Sequence, residues 1–132
     1  MPFYQPNELP KLMVAPNGAR KVKKDHPEVP LTIQETVEVA KNCFKAGAGA
    51  IHLHVRNEKG EHVLDAGLYK EALKELEFKV PKMHIQVTTE AVGKYSPEDM
   101  RKLAYDVTPP GTSIGIAEMI PSRLSLIHIS EP

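Results

Sequence analysis

Four short segments of the chain have the apolar alternation expected of β-strands. They span residues 12–15, 50–56, 83–89 and 112–117, and glycine, proline or polar clusters separate them. In the second segment Ile51, Leu53 and Val55 point to one face, because successive side chains of a strand alternate. The opposite face of the last three segments carries polar or small residues: His52, His54, Arg56, His84, Gln86, Thr88, Ser113 and Gly115. The pattern therefore predicts a sheet with one aliphatic face and one polar face.

Three amphipathic helices are predicted between these strands. Thr32 and Glu35 have the spacing of a capping box, so the first helix begins there, and Gly47 ends it. The second helix runs from about residue 65 to 78, and Ser96 followed by Pro97 starts the third. Apolar residues recur at helical spacing in each: Ile33, Val37, Ala40 and Phe44; Leu68, Ala72, Leu73 and Leu76; Met100, Leu103, Ala104 and Val107.

The alternation of strands and helices predicts parallel strands joined by right-handed crossovers. A doubly wound open sheet and a (β/α)8 barrel both have this order. In an open sheet, helices cover both faces, so both faces of the sheet are apolar. In a barrel, one face of the sheet packs against the helices and the other can be polar where it lines the mouth. The chain also has no G-x-G-x-x-G or Walker-type phosphate loop. We therefore predict an α/β fold, the N-terminal half of a (β/α)8 TIM barrel with about four strands and three helices.

The composition is that of an ordinary globular protein, with 41% hydrophobic and 26% charged residues. The 17 basic and 17 acidic residues balance, which argues against a nucleic-acid or membrane-surface binder. The single cysteine, Cys43, forms no disulfide within the chain and suits a reducing compartment. The first residues lack the apolar core of a secretory signal, and no apolar run is long enough to span a bilayer. We expect a cytoplasmic protein.

The last nine residues differ in character from the rest. The segment 124–132 reads Leu-Ser-Leu-Ile-His-Ile-Ser-Glu-Pro and resembles a translated sequencing adapter more than natural protein. The alternative is a genuine fifth strand, which Leu126, Ile127 and Ile129 would suit. We interpret residues 1–123 as half of one barrel domain and residues 124–132 as a non-native tail, so His128 enters no site argument.

His52 and His54 are the strongest chemical signal in the chain. Because they lie two residues apart on one strand, their imidazoles leave the same face, with Cα atoms about 6.6 Å apart. Metal–nitrogen bonds of about 2.0–2.1 Å allow such a pair to bind one divalent ion from one side. The alternative is a pair of hydrogen-bonded core histidines. Their place near the C-terminal end of a barrel strand, where barrels build active sites, favours a metal site.

Two histidines do not complete a catalytic metal site, which normally has a third protein ligand and an open position. Glu90 and Glu118 follow the third and fourth strands and are candidates, although neither has a compelling spacing. His84 lies near the start of its strand, at the opposite end of a barrel, and is expected to be structural. The third ligand is therefore left open, and it can lie outside this chain.

Other polar residues near the histidines are candidates for substrate binding. Arg56 shares their face and suits a carboxylate, with a salt bridge at the strand's end as the alternative. Thr88, Thr89 and Ser113 offer hydroxyl donors, unless they only fill the barrel mouth. Arg20 lies just past the first strand, where either a substrate loop or a plain turn is expected.

A series of short motifs occurs in a fixed order along residues 11–123. It comprises Ala15-Pro16-Asn17-Gly18-Ala19-Arg20, His26-Pro27, Pro30-Leu31-Thr32, Gly47-Ala48, Ile51-His52-Leu53-His54-Val55-Arg56 and Gln86-Val87-Thr88-Thr89. Together these motifs resemble the β-keto acid cleavage enzymes. The founding activity of that family is the cleavage of 3-keto-5-aminohexanoate in lysine fermentation, a route of amino acid catabolism. The His-x-His-x-Arg strand is the most specific part of the resemblance.

The resemblance implies a (β/α)8 barrel that holds a zinc ion, with His52 and His54 as two of its ligands. It places the third ligand, a glutamate, on a later strand outside this chain, together with the catalytic aspartate base and an assisting arginine. Its substrate-contacting hydroxyls fall on Thr88 and Ser113. The implied reaction joins a β-keto acid and acetyl-CoA to give acetoacetate and a new acyl-CoA, and the implied assembly is a homo-oligomer.

Two positions depart from the founding enzyme of that family. It has a glutamate after the first strand, which holds the amino group of the substrate, and Arg20 stands at the matching position here. A fourth-strand asparagine is replaced by Gly115. Because an arginine cannot pair with an ammonium group, we expect a neutral or anionic β-keto acid rather than an amino-keto acid.

A metal-dependent hydrolase barrel is the alternative enzyme, since that class also uses a His-x-His strand. The class usually carries the pair on its first strand, whereas here a strand and a helix precede it. A further expectation is that the chain by itself is inactive. Half a barrel leaves its terminal strands unpaired and lacks most of the catalytic groups.

Overall fold

The computed structural model describes residues 3–120, so the segment interpreted as a non-native tail lies outside the described residues. Strands β1 (Met13–Val14), β2 (Ala50–Leu53), β3 (His84–Thr88) and β4 (Gly111–Ser113) alternate with helices α1 (Ile33–Lys45), α2 (Ala66–Lys79) and α3 (Pro97–Val107). A short 3-10 helix follows at Ile116–Glu118. The predicted order of strands and helices is confirmed.

The strands are parallel and lie in the order β1-β2-β3-β4. Crossovers between parallel strands are right-handed as a rule, so each one moves the chain one strand further in the same direction and every helix lies on the same side of the sheet. A doubly wound sheet instead reverses its direction at a switch point and carries helices on both faces. The arrangement is the N-terminal half of a (β/α)8 barrel, as predicted.

The core lies between the aliphatic face of the sheet and the helices. α1 packs on α2, and α2 packs on α3. The buried cluster includes Val37, Ala40, Ile51, Leu53, Leu73, Leu76, Ile85, Val87, Leu103 and Val107. The helical spacing of apolar residues predicted the buried face of each helix, with two differences. Phe44 is 37% exposed, and Tyr69, outside the predicted face of α2, is fully buried.

Side chains at the first turn of each helix explain where the helices begin. Thr32 accepts a hydrogen bond from the Glu35 amide, and the Glu35 carboxylate accepts one from the Thr32 amide, which completes the predicted capping box. Ser96 and Asp99 form a second box at α3, and Asp65 caps α2. Among the helices between residues 3 and 120, none has the length and apolar character that crossing a membrane requires.

The strands are shorter than predicted. β2 ends at Leu53 rather than Arg56, and β4 ends at Ser113 rather than residue 117. After β4 the chain turns, and the amides of Glu118 and Met119 donate to the Gly115 carbonyl. Ile114 and Ile116, predicted to share a strand face, are 60% and 77% exposed. The prediction was wrong because alternation describes side-chain direction and does not supply a hydrogen-bonding neighbour for the backbone.

Candidate metal centre and active site

The sheet register brings the predicted site residues together on its polar face. His52 lies beside Gln86, and two residues further along β3, Thr88 lies beside Ser113 on β4. His54 follows β2 directly and reaches the level of Thr88, because parallel strands advance at the same rise per residue. These side chains lie at the C-terminal ends of the strands, which is where barrel enzymes place their active sites.

The rings of His52 and His54 are close enough to bind one metal ion. Their ring centres are 5.0 Å apart, with an interplanar angle of 65°. Two imidazoles on one tetrahedral ion, with metal–nitrogen bonds of about 2.0–2.1 Å, have ring centres roughly 5 Å apart. Within residues 3–120, the Nε2 atoms of both rings lie outside hydrogen-bond distance of any partner, while each Nδ1 has one. The pair therefore fits two ligands of a metal site.

Each of these rings contacts a polar side chain through Nδ1. The Nδ1 atom of His52 lies 2.7 Å from Oε1 of Gln86. The Nδ1 atom of His54 lies 3.2 Å from Nδ1 of His62, whose ring centre is 4.9 Å away. The Nε2 atom of His62 in turn lies 2.8 Å from the carbonyl oxygen of Glu90. Both candidate ligands are thus oriented by neighbours on other strands or loops.

His62 is the site residue that the sequence analysis missed, because it lies outside the predicted strands and helices. The segment is a hairpin, in which the Gly60 amide donates to the Asn57 carbonyl and Arg56 pairs antiparallel with His62. The available signal was the Asn57–Gly60 turn, in which Gly60 has a φ of 79°. Such a turn reverses the chain and returns His62 to the end of β2.

Burial favours the neutral form of two imidazoles of this site, those of His54 and His62. His54 is 2% exposed, and this burial, reinforced by the nearby rings of His62 and His52, lowers its pKa to about 3. Burial also lowers the pKa of His62. A neutral imidazole is the form that binds a metal ion, so His54 is in its ligating form at neutral pH without losing a proton.

Arg56 is buried, and its guanidinium group is occupied by the backbone. It donates hydrogen bonds to four carbonyl groups, those of Asn17, Gly18, Lys21 and Gly60. These bonds join the loop after β1 to the hairpin after β2. The arrangement favours a structural role over the predicted substrate role, since a substrate carboxylate would have to displace the carbonyls. Contact between Arg56 and substrate stays a prediction.

Asn17 joins the same loop to the backbone of His54, a candidate metal ligand. Its side-chain amide donates to the carbonyl of Pro30 and to the carbonyl of His54, each at 3.2 Å. Asn17 is 6% exposed, so these bonds are shielded from water. The loop after β1 is therefore anchored to the backbone of a candidate ligand rather than being a plain turn.

The hydroxyl groups predicted to bind substrate have different environments. Thr88 is buried and its Oγ1 accepts a hydrogen bond from the Glu90 amide. Thr89 donates to the Ser113 carbonyl at 2.8 Å and so connects β3 to β4. Thr88 and the half-buried Ser113 share the histidine face. Their contact with a substrate stays a prediction, whereas Thr89 is engaged by the backbone.

The candidates for a third metal ligand are arranged less favourably. Glu90 places Oε2 3.9 Å from Nε2 of His54, beyond hydrogen-bond distance. Glu118 accepts a hydrogen bond from the Ala91 amide at 3.1 Å. His84 starts β3, two residues before Gln86, at the opposite end of the sheet. Across residues 3–120, no three or more His, Cys, Asp or Glu residues are grouped to hold a metal ion.

Arg20 is exposed at the edge of the centre and lines a positively charged pocket. The pocket has a volume of about 410 Å³, and its lining includes Lys59, Lys94 and His62. Glu61 is the one carboxylate in this lining, whereas Arg20, Lys59 and Lys94 add three exposed positive charges. A pocket of this charge next to His62 suits an anionic group.

The fold and the site together define a half barrel with two neighbouring histidines, candidate metal ligands, at the C-terminal end of β2. The sequence model of the β-keto acid cleavage enzyme family matches residues 11–127. The chain belongs to the β-keto acid cleavage enzyme family.

Several curated relatives match part of the chain. It is 36% identical over 72 residues to the 3-keto-5-aminohexanoate cleavage enzyme of Fusobacterium nucleatum subsp. nucleatum, covering 54% of this chain and 26% of the relative. It is 35% identical over 78 residues to the 3-oxoadipate:acetyl-CoA acetyltransferase of Cupriavidus necator, covering 59% and 28%. The 3-keto-5-aminohexanoate cleavage enzyme of Acetoanaerobium sticklandii is 36% identical over 72 residues, covering 54% and 26%. The chain spans about a quarter of the length of these relatives.

Proposed function

We propose that the intact enzyme is a zinc-dependent β-keto acid cleavage enzyme. It joins a β-keto acid and acetyl-CoA to give acetoacetate and a new acyl-CoA. The observation that carries the proposal is the His52–His54 pair, 5.0 Å apart at the C-terminal end of a barrel strand, in a chain of this family. One relative is named for both a β-keto acid, 3-oxoadipate, and acetyl-CoA, which supports the kind of reaction.

Zinc is proposed as the ion because it is commonly bound by imidazole nitrogens with tetrahedral coordination. His52 and His54 would hold it, and we expect a glutamate from a later strand as the third ligand. When bound, zinc supplies a Lewis acid that polarises the keto oxygen of the substrate. The hydroxyls of Thr88 and Ser113 lie on the same face and orient the substrate by donating hydrogen bonds.

The charge around Arg20 supports a choice of substrate. Arg20, Lys59 and Lys94 line the pocket beside His62, so a substrate with an ammonium group is repelled there. We therefore propose a neutral or anionic β-keto acid, and the pocket favours the anionic one. The proposal also includes a cytoplasmic homo-oligomer without nucleic-acid or membrane partners, in keeping with the balanced charge of 17 basic and 17 acidic residues.

The experiment is to incubate the intact enzyme with acetyl-CoA and β-keto acids that carry a neutral, anionic or ammonium side group. We expect acetoacetate and the matching acyl-CoA, with kcat/KM highest for the anionic acid. Formation of free acids without acyl-CoA would support the metal-dependent hydrolase instead. An enzyme that produces neither product from any of these acids would contradict the proposal.

The variant Arg20→Glu tests the choice of substrate in the same assay. We expect it to lower kcat/KM for the anionic acid by roughly 5–30-fold, since one reversed charge contact corresponds to about 1–2 kcal/mol. Arg20→Lys keeps the charge and is the matched control, for which we expect a much smaller loss. If Arg20→Glu keeps the wild-type preference for the anionic acid, Arg20 does not contact the substrate.

A further inference from the structure

A line of hydrogen bonds runs from the loop after β3 through the ring of His62 to Nδ1 of His54. It begins at the Glu90 carbonyl oxygen, which lies 2.8 Å from Nε2 of His62. A carbonyl oxygen only accepts, so Nε2 of His62 carries the proton and donates it. His62 is 4% exposed, and within residues 3–120 its hydrogen-bond partners are this carbonyl and another imidazole.

The proton position on His62 determines the proton position on His54. A neutral imidazole has one N–H, so with Nε2 protonated, Nδ1 of His62 is an acceptor. The Nδ1 atom of His54 lies 3.2 Å away and must therefore be the donor. This leaves Nε2 of His54 unprotonated, so His54 is in the tautomer that can bind a metal ion through the lone pair of Nε2.

His52 reaches the same state through a different partner. Its Nδ1 atom lies 2.7 Å from the amide oxygen of Gln86, which also only accepts. The Nε2 atom of His52 is therefore unprotonated as well. Two rings with centres 5.0 Å apart thus have the same tautomer, although their partners come from β3 in one case and from a hairpin in the other.

We propose that His62 is a positioning residue for the metal centre, which fixes the tautomer and ring orientation of His54 so that Nε2 is presented to the ion. The inference rests on the proposed zinc site. It adds a residue that supplies no ligand itself and acts through His54. Losing such an outer partner typically lowers metal affinity by about 10–100-fold.

The first test measures the tautomer directly in the metal-free intact enzyme labelled with ¹⁵N-histidine. Long-range ¹H–¹⁵N spectra distinguish a protonated ring nitrogen from an unprotonated one. We expect His54 and His52 to be protonated at Nδ1 and His62 at Nε2. His54 protonated at Nε2 would overturn the inference, and this measurement needs no substitution that could disturb folding.

The second test compares zinc affinities, measured by competition with a chromophoric chelator. His62→Phe keeps a ring but removes the acceptor, and we expect zinc to bind about 10–100-fold more weakly. His62→Gln keeps both an acceptor and a donor and should recover most of the affinity. His26→Phe, which replaces an exposed histidine of the loop after β1, is the control and should bind zinc like the wild type.

These outcomes separate the inference from the proposed function. Zinc bound with equal affinity by the wild type and by a folded His62→Phe would overturn the inference and leave the proposed function standing. A wild-type enzyme that binds no zinc would overturn the zinc proposal and, with it, the role assigned to His62.

Discussion

Near the end of β2, the side chains of Arg56 and Asn17 each donate hydrogen bonds to more than one backbone carbonyl. Arg56 donates to four carbonyl groups and Asn17 to two, so two residues hold the loop after β1, the hairpin and the His54 backbone together. A buried carbonyl left without a donor costs about 1–3 kcal/mol. The position of the His54 backbone therefore depends on the side chains of Asn17 and Arg56 as well as on β2.

Arg56→Lys is expected to lower the free energy of unfolding of the intact enzyme by about 2–4 kcal/mol. A lysine ammonium cannot reproduce the planar fork that reaches carbonyls on two loops, and several of these would lose their donor. Urea unfolding measures the change. Arg101→Lys is the control, because Arg101 is exposed and, among residues 3–120, forms its ion pair with Glu98 on its own helix. Its expected change is below about 0.5 kcal/mol.

The same variant distinguishes the two roles considered for Arg56. If the residue bound a substrate carboxylate, Arg56→Lys would raise the KM for the keto acid and leave stability nearly unchanged. That combination would contradict the structural role that its four carbonyl contacts favour.

At the scale of elements, the first turn of α1 has a pH-dependent cap. Glu35 accepts hydrogen bonds from the Leu31 and Thr32 amides and forms an ion pair with Lys23. The Leu31 amide, followed by Lys23 and the Thr32 amide, lowers the pKa of Glu35 from 4.5 to about 2. A lowered pKa means that the folded state binds this proton less tightly than the unfolded state does. The stabilisation is complete above about pH 4.5 and is lost as the pH falls towards 2.

We therefore expect Glu35→Gln to remove part of the acid sensitivity of folding. Glutamine keeps the capping acceptor but cannot be protonated, so the variant should lose less stability than the wild type between pH 5 and pH 3. Chemical unfolding at a series of pH values measures this difference. Glu38→Gln, at an exposed position of the same helix paired with Lys41, is the control. Parallel pH curves for the wild type and Glu35→Gln would contradict the prediction.

The hairpin after β2 depends on the backbone conformation of one residue in its turn, Gly60. Gly60 has a φ of 79°, a region in which a residue with a Cβ is strained. We expect Gly60→Ala to destabilise the enzyme by about 1–2 kcal/mol and to weaken zinc binding, because the hairpin carries His62. Gly60→Asn should be milder, since asparagine tolerates this region. Thermal unfolding and zinc titration measure both effects, and equal behaviour of the two variants would contradict the argument.

On the scale of the whole molecule, the sheet has two terminal strands. Within residues 3–120, β1 pairs only with β2, and β4 pairs only with β3. Each therefore has one row of backbone groups without a strand partner, which a closed barrel would pair. Ile114 and Ile116, just past β4, are largely exposed in the same part of the fold.

We expect residues 1–123 expressed alone to form no acetoacetate and to bind zinc weakly. The described residues supply two candidate histidine ligands, and the aspartate base of the family is expected on a later strand. Acetoacetate formation and zinc titration, each compared with the intact enzyme prepared in the same way, measure the outcome. Turnover by the isolated segment would contradict this prediction.

Much of the fold was predictable because its signals are local. The capping residues Thr32 and Ser96 act on amides three residues away, and the helical spacing of apolar residues requires only neighbouring turns. The polar face that distinguishes a barrel from an open sheet was also visible in the alternation of β2 and β3. The same alternation placed His52 and His54 on one face before their distance was known.

The sequence by itself therefore determined the helices, the parallel half barrel and the histidine pair. Only the tertiary structure decided where β2 and β4 end, that Arg56 donates its hydrogen bonds to backbone carbonyls, and that His62 contacts His54. The physical reason is that these features are contacts between distant parts of the chain. His52 meets Gln86 across 34 residues and Arg56 meets Gly18 across 38, and no local periodicity specifies which groups such hydrogen bonds will join.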